Sequence, residues 1–96
     1  MSSTDTTILA DAKQYIECGD LSGIQYVWKS LDDYEFEEQP DWVYLFQKLY
    51  LHACLKRQPQ IADWLQHGLF PQMDPIQQIA LRQVFSYGNY LLRRKK

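Results

Sequence analysis

The feature that most constrains the fold of this chain is a helical spacing of apolar residues that breaks only at glycine and proline. Residues 8–16 carry apolar side chains three and four positions apart, and residues 21–31 resume the same spacing. Between them, Gly19 can adopt the left-handed conformation that ends a helix, and Asp20 can cap the next helix. The stretch YIECGDLSGIQYVWKSL, residues 15–31, is therefore predicted to be a tight corner between two helices.

The segment after Pro40 is predicted to be the central helix. Pro40 and Asp41 suit a helix start, and residues 42–55 are apolar around almost the whole helix circumference. Such a helix is covered by neighbours on several sides. Pro59 opens a short fourth helix that we expect to stop at Gly68, and Asp74-Pro75 opens the last helix.

These signals predict an all-α fold, a five-helix antiparallel stack of two helical hairpins plus a C-terminal closing helix. Residues 1–92 form a single domain in this interpretation, and residues 93–96 form a basic C-terminal tail. We expect the apolar side of the last helix to close the stack; its residues are Ile76, Ile79, Ala80, Val84, Tyr87 and Leu91. The alternative is a groove that another chain fills, which would make the protein a homo-oligomer through the C-terminal helix.

Two spacings in the sequence suggest a repeated unit. Pro40 and Pro75 lie 35 residues apart and each opens a helix, while Ile24 and Ile61 lie 37 residues apart and each follows a corner. Periods of this length are typical of helix-turn-helix repeats. A generic stack of helical hairpins is the alternative to a true repeat.

Residues 15–31 resemble the centre of a tetratricopeptide repeat. In that resemblance Tyr15 and Gly19 take the first-helix and corner roles, and Leu21, Trp28 and Leu31 take the packing roles of the second helix. The stretch PDWVYLFQKLYLHACLKRQPQIADWL, residues 40–65, resembles more loosely a pentatricopeptide unit, which often opens with Pro-Asp.

The resemblance implies a non-enzymatic protein-interaction module, a small adaptor or regulator that binds another protein. Its binding groove would be lined by the first helix of each hairpin. The partner-binding residues would then be Lys13 and Glu17 on the first helix, with Gln47 and Tyr50 on the third. An inhibitor that binds a single enzyme would be a variant of the same function.

The charge of the chain is strongly polarised. Residues 1–41 hold ten acids and two bases, a net charge of −8, whereas residues 42–96 hold two acids and eight bases, a net charge of +6. This separation can orient partners or drive head-to-tail association, but the interpretation we favour is that two solvated faces differ in charge. The alternative function is nucleic-acid association through the basic half, with Arg93, Arg94, Lys95 and Lys96 as possible anion contacts.

The run from Asp32 to Glu38 places Tyr34 and Phe36 among five acids. Aromatic residues in such a setting can dock on a basic, apolar groove. The interpretation we favour is that both rings fold back over the helix ends.

No sequence motif predicts catalysis, a cofactor or a metal site. His52 and Cys54, two positions apart on a helix, point about 200° away from each other and cannot share one tetrahedral metal ion. Two cysteines are too few for a disulfide framework, which favours a reducing, intracellular compartment such as the cytoplasm. Since no run approaches roughly 18 apolar residues and no secretory signal is evident, we expect no membrane association.

Overall fold

A computed structural model describes residues 3–33 and 41–93, with side chains described for residues 8–31 and 41–93. The helices are α1 (Ser3–Glu17), α2 (Leu21–Asp33), α3 (Trp42–Leu55), α4 (Pro59–Asp63) and α5 (Pro75–Arg93). A π-helix (Trp64–Leu69) and a 3₁₀ turn (Phe70–Gln72) join α4 to α5. Since the described residues form five α-helices and no strand, the predicted all-α fold is confirmed.

The corner between α1 and α2 forms as the sequence predicts. Gly19 has φ of +71°. Its N–H donates to the carbonyl of Ile16 (3.0 Å), and the Asp20 N–H donates to the carbonyl of Tyr15 (2.9 Å). This pair of bonds is a Schellman motif, which ends α1. Asp20 Oδ1 then accepts from the N–H of Gly23 at 2.9 Å and caps α2.

The predicted central helix, α3, is confirmed. Asp41 caps it by accepting from the Tyr44 N–H at 3.0 Å. The helix packs against α1 on one side and α5 on another, with α4 also in contact. Its buried residues are Leu45, Phe46, Leu49, Tyr50, Ala53 and Cys54.

The helices α1, α3 and α5 run in the same direction and form one layer. Glu17 at the end of α1 lies 3.4 Å from His52 near the end of α3, and Phe46 and Tyr50 of α3 both contact Phe85 of α5. The helices α2 and α4 return the chain and contact each other. The end of α2 and the start of α3 therefore lie at one end of the molecule, and α3 and α5 both end at the other.

An aromatic cluster fills the space between α3, α5 and the 3₁₀ turn. The ring of Phe85 meets Tyr50 and Phe70 edge-on, with centroid distances of 5.0 Å and 4.7 Å, and Phe46 stacks on Tyr50 at 6.1 Å. A Cβ at Gly88 would lie 2.3 Å from Tyr50 Cε2. The closest approach of α5 to α3 therefore requires glycine at this position.

The helical run that begins with α4 extends past Gly68, its predicted end, although α4 itself ends at Asp63. The expectation that Gly68 stops it is wrong, because the chain passes directly from α4 into the π-helix and only then into the 3₁₀ turn. Gly68 lies inside the π-helix, where a Cβ would be 2.9 Å from Cδ1 of Trp64. The residue gives the indole ring room to pack and does not end the helix.

Helix α5 closes the stack, but with only part of its predicted apolar side, because Val84 and Leu91 of that side are buried and the others are not. Its buried residues are Leu81, Val84, Gly88 and Leu91. The expectation that Ile76, Ile79 and Tyr87 face the core is wrong, since their exposed fractions are 81%, 67% and 55%. The helix has two apolar faces, and periodicity alone does not determine which of them meets α3.

Candidate functional site

All three tryptophans of the chain line one cleft, called here the tryptophan cleft, with a volume of about 430 Å³. Trp28 comes from α2, Trp42 from the first position of α3, and Trp64 from the first position of the π-helix. The other residues that line it are Gln25, Lys29, Gly68, Leu69, Gln72, Met73, Asp74 and Gln77. Five of the seven helical elements found in residues 3–33 and 41–93 contribute to this one site.

The inner wall of the cleft is a tilted pair of indole rings. Trp28 and Trp42 lie 5.3 Å apart between ring centroids, with 52° between their planes. Trp28 is only 9% exposed and meets Phe46 edge-on at 6.4 Å, so the core fixes its position. Trp42 is held because Asp41 caps α3 immediately before it. Packing of the two rings on each other and of Trp28 on the core therefore positions the inner wall of the cleft.

The opposite wall depends on the π-helix. Trp64 lies against Gly68, and the carbonyl of Gly68 accepts a hydrogen bond from Gln72 Nε2 at 2.9 Å. The wider turn of a π-helix shifts the residues that follow it, and such turns are frequent at functional sites. Here the shift places Leu69 and Met73 in the lining of the cleft.

The rim of the cleft is rich in amides. Gln25, Gln72 and Gln77 lie there with one cation, Lys29, and one anion, Asp74. Gln77 Oε1 accepts from the backbone N–H of Asp74 at 3.2 Å. The described residues that line the cleft include no histidine, cysteine or serine. Their chemistry is therefore stacking and amide hydrogen bonding.

The four residues predicted to bind a partner do not share one surface. Tyr50 is 1% exposed, and its hydroxyl donates to Gln66 Oε1 at 3.3 Å. Burial raises the pKa of Tyr50, so its hydroxyl stays protonated. Lys13 is half-buried, Glu17 and Gln47 are exposed. The role of these residues in partner binding stays a prediction.

Glu17 is instead part of a charged cluster at the ends of α1 and α3. Its Oε1 lies 3.4 Å from His52 Nε2 and 3.7 Å from Lys56 Nζ. Lys13 is near enough to His52 to act on its titration. The structure thus brings two of the predicted residues, Lys13 and Glu17, beside a histidine that the sequence analysis considered only as a metal ligand.

The predicted anion contacts lie at the end of α5. Arg93 is the last residue of that helix and is exposed. Arg94, Lys95 and Lys96 lie outside the described residues, as do Tyr34 and Phe36 of the acidic run. Anion binding by the tail stays a prediction.

A second surface was missed by the sequence analysis and is called here the α5 stripe. It consists of Ile76, Ile79, Tyr87 and Tyr90, which are between 55% and 81% exposed. At 100° per residue these four positions fall within about 80° of the helix circumference. Tyr87 and Tyr90 pack on each other with ring centroids 6.3 Å apart. The stripe could have been found in the sequence as a second apolar face beside Leu81, Val84, Gly88 and Leu91.

Metal and membrane sites receive no support within residues 3–33 and 41–93. No group of three or more His, Cys, Asp or Glu residues in this part of the chain is arranged to hold a metal ion. None of its helices combines the length and the apolar character that crossing a membrane requires. Cys54 is buried, which raises the pKa of its thiol.

Comparison with known proteins gives no relative for this chain. No family model, no curated protein and no solved structure matches it.

Proposed function

We infer that this protein is a non-enzymatic interaction module, a small adaptor or regulator of the helical-repeat type, and that the tryptophan cleft binds an extended segment of a partner protein. The observation that carries this proposal is the convergence of Trp28, Trp42 and Trp64 on one cleft. Tryptophan is the residue most enriched at the energetic centres of protein interfaces, because it buries a large rigid surface at low entropic cost.

The lining of the cleft suits a peptide chain. Indole faces stack on proline and aliphatic side chains, while the amides of Gln25, Gln72 and Gln77 can both donate to and accept from a peptide backbone. The helical-repeat interpretation is supported by the packing of α1, α3 and α5 in one direction, since repeat proteins stack successive hairpins in the same orientation. We place the protein in the cytoplasm, because Cys18 and Cys54 are both free thiols.

The test is affinity capture from nuclease-treated lysate with three variants compared with the wild-type protein. Trp64→Ala removes one wall of the cleft, and Lys29→Glu reverses the charge of its rim without touching the core. Tyr26→Ser is the matched control, since Tyr26 is 69% exposed on the same helix as Lys29 and lies outside the cleft.

A partner that binds through the cleft should be retained by the wild-type protein and by Tyr26→Ser. Its affinity for Trp64→Ala should fall at least about thirtyfold, the loss typical of an interface centre. Equal retention by Trp64→Ala and Lys29→Glu, with unchanged helical circular dichroism, would assign the partner to another surface. Partners that disappear with nuclease treatment would favour the nucleic-acid alternative.

A further inference from the structure

The two strongly charged segments of this chain are attached to opposite ends of the described fold. Residues 32–41 contain six acids and no base, and residues 75–96 contain five bases and no acid. The acidic segment joins the end of α2 to the start of α3, whereas the basic segment ends with α5. Because α3 and α5 run in the same direction, the start of α3, which follows the acidic segment, and Arg93 at the end of α5 lie at opposite ends of the described fold.

The basic end also carries exposed aromatic surface. Tyr87 and Tyr90 are 55% and 59% exposed on the last two turns before Arg93. In the α5 stripe they lie opposite no other element of the described fold. An apolar surface beside concentrated positive charge fits a ligand that combines aromatic side chains with negative charge.

The same chain contains such a ligand. The acidic segment carries Tyr34 and Phe36 between its carboxylates, the pattern for which docking on a basic, apolar groove is the alternative to rings that fold back over the helix ends. Its six acids match the five bases of α5 and the residues after it. Pairing two copies of α5 with each other would instead bring like charges together, which costs free energy.

We propose that the protein associates head to tail, with the acidic segment of one copy docked on Tyr87, Tyr90 and the basic end of α5 of the next copy. This interface is heterologous, because two different surfaces meet. A head-to-tail pair still has one free acidic segment, on one copy, and one free α5 end, on the other, and each can bind a further copy. Association is therefore open-ended and grows with concentration. It uses a surface separate from the tryptophan cleft and is independent of the partner proposed for that cleft.

The first measurement is sedimentation equilibrium of the wild-type chain over a range of concentrations. At about 0.01 M salt, where charges act over roughly 30 Å, the average mass should rise above that of the 11.4 kDa monomer as concentration increases. At about 1 M salt, where screening shortens the range to roughly 3 Å, it should return towards the monomer. A protein that stays monomeric at every concentration in low salt would overturn the proposal.

Two variants each remove one side of the interface. Tyr87→Ser with Tyr90→Ser removes the rings of α5, and Glu35→Lys with Glu37→Lys and Glu38→Lys reverses the charge of the acidic segment. Each variant alone should be monomeric. A mixture of the two should form a heterodimer and nothing larger, because only one complementary pair of surfaces is left.

Tyr26→Ser, at an exposed tyrosine of α2, is the matched control and should associate like the wild-type chain. Circular dichroism and thermal unfolding verify that each variant is folded. If the acidic-segment variant still self-associates by itself, two copies pair through α5, and the head-to-tail interface is wrong. A mixture that contains only monomers would also overturn it.

Discussion

His52 shows at the scale of one residue how burial and charge combine. Its side chain is 14% exposed, and Nε2 lies 3.4 Å from Glu17 Oε1 without a hydrogen-bond partner among the described residues. Burial lowers the pKa of His52 below its usual value of 6.5. Glu17 opposes this shift, whereas Lys13 and Lys56 add to it. The folded protein therefore holds this imidazole in its neutral form.

This environment predicts that acid destabilises the protein through His52. The unfolded chain takes up a proton at the ordinary histidine pKa near 6.5, but the folded chain does so only at lower pH. The unfolded state then binds more protons, and the free energy of unfolding falls as pH drops below about 6.5. Urea unfolding above and below this pH should show a smaller fall in His52→Gln than in the wild type.

The control for this prediction is His67→Gln, which changes the only other histidine of the chain. His67 lies 69% exposed on the π-helix, and the loss of stability in acid should persist when it is replaced. If His52→Gln loses stability in acid as steeply as the wild type, the neutral state of His52 does not contribute to the pH dependence.

The close contact between α3 and α5 predicts that Gly88→Ala lowers the free energy of unfolding, although replacing glycine by alanine within a helix usually raises it. Glycine inside a helix is normally destabilising, so replacing an exposed one by alanine gains about 1 kcal/mol. At Gly88 the added Cβ would lie 2.3 Å from Tyr50 Cε2 and 2.9 Å from Cys54 Sγ. Both neighbours are fully buried, so neither has space to move. Gly88→Ala should lower the free energy of unfolding by about 1–3 kcal/mol.

Asn89→Ala, at the adjacent exposed position of α5, serves as its control. Alanine has the higher helix propensity, so this change should leave stability unchanged or raise it by a few tenths of a kcal/mol. Urea unfolding followed by circular dichroism measures both variants. An increase in stability for Gly88→Ala would mean that α5 packs less closely on α3 than the structure shows.

At the scale of the helices, the sequence predicts those features that depend only on residues close together along the chain. Asp20 and Asp41 cap helices by bonds to the N–H three positions later, so the chemistry of each cap is contained in four residues. The tryptophan cleft could not be predicted in this way, because its three rings lie 14 and 22 residues apart and meet only through tertiary packing. The packed face of α5 was predicted only in part, through Val84 and Leu91, for the same reason: periodicity finds two apolar faces, and only contact with Tyr50 selects one.

At the scale of the whole molecule, the packing of α5 on α3 decides whether the fold unfolds as one cooperative unit or as separable hairpins. In a long repeat array each hairpin contacts only its neighbours, and removing the last one leaves the rest folded. Two hairpins are fewer than the roughly three units that such an array needs for stability. Here α5 covers Phe46 and Tyr50 of the central helix through Phe85 and Gly88. Its removal would therefore uncover the middle of the core and not one edge of it.

This placement predicts that a chain ending at Asp74 does not fold. Loss of Leu81, Val84 and Leu91 alone removes about 1.5–3 kcal/mol of burial for each side chain, and the uncovered rings of α3 add to this. The sum approaches the whole stability of a small domain, about 5–15 kcal/mol. Circular dichroism should show little helix and no cooperative thermal transition, whereas a control chain that ends at Arg93 should unfold cooperatively. A cooperative transition in the shorter chain would instead mean that the two hairpins are stable without α5, as in a repeat array, and that α5 is an attachment to them.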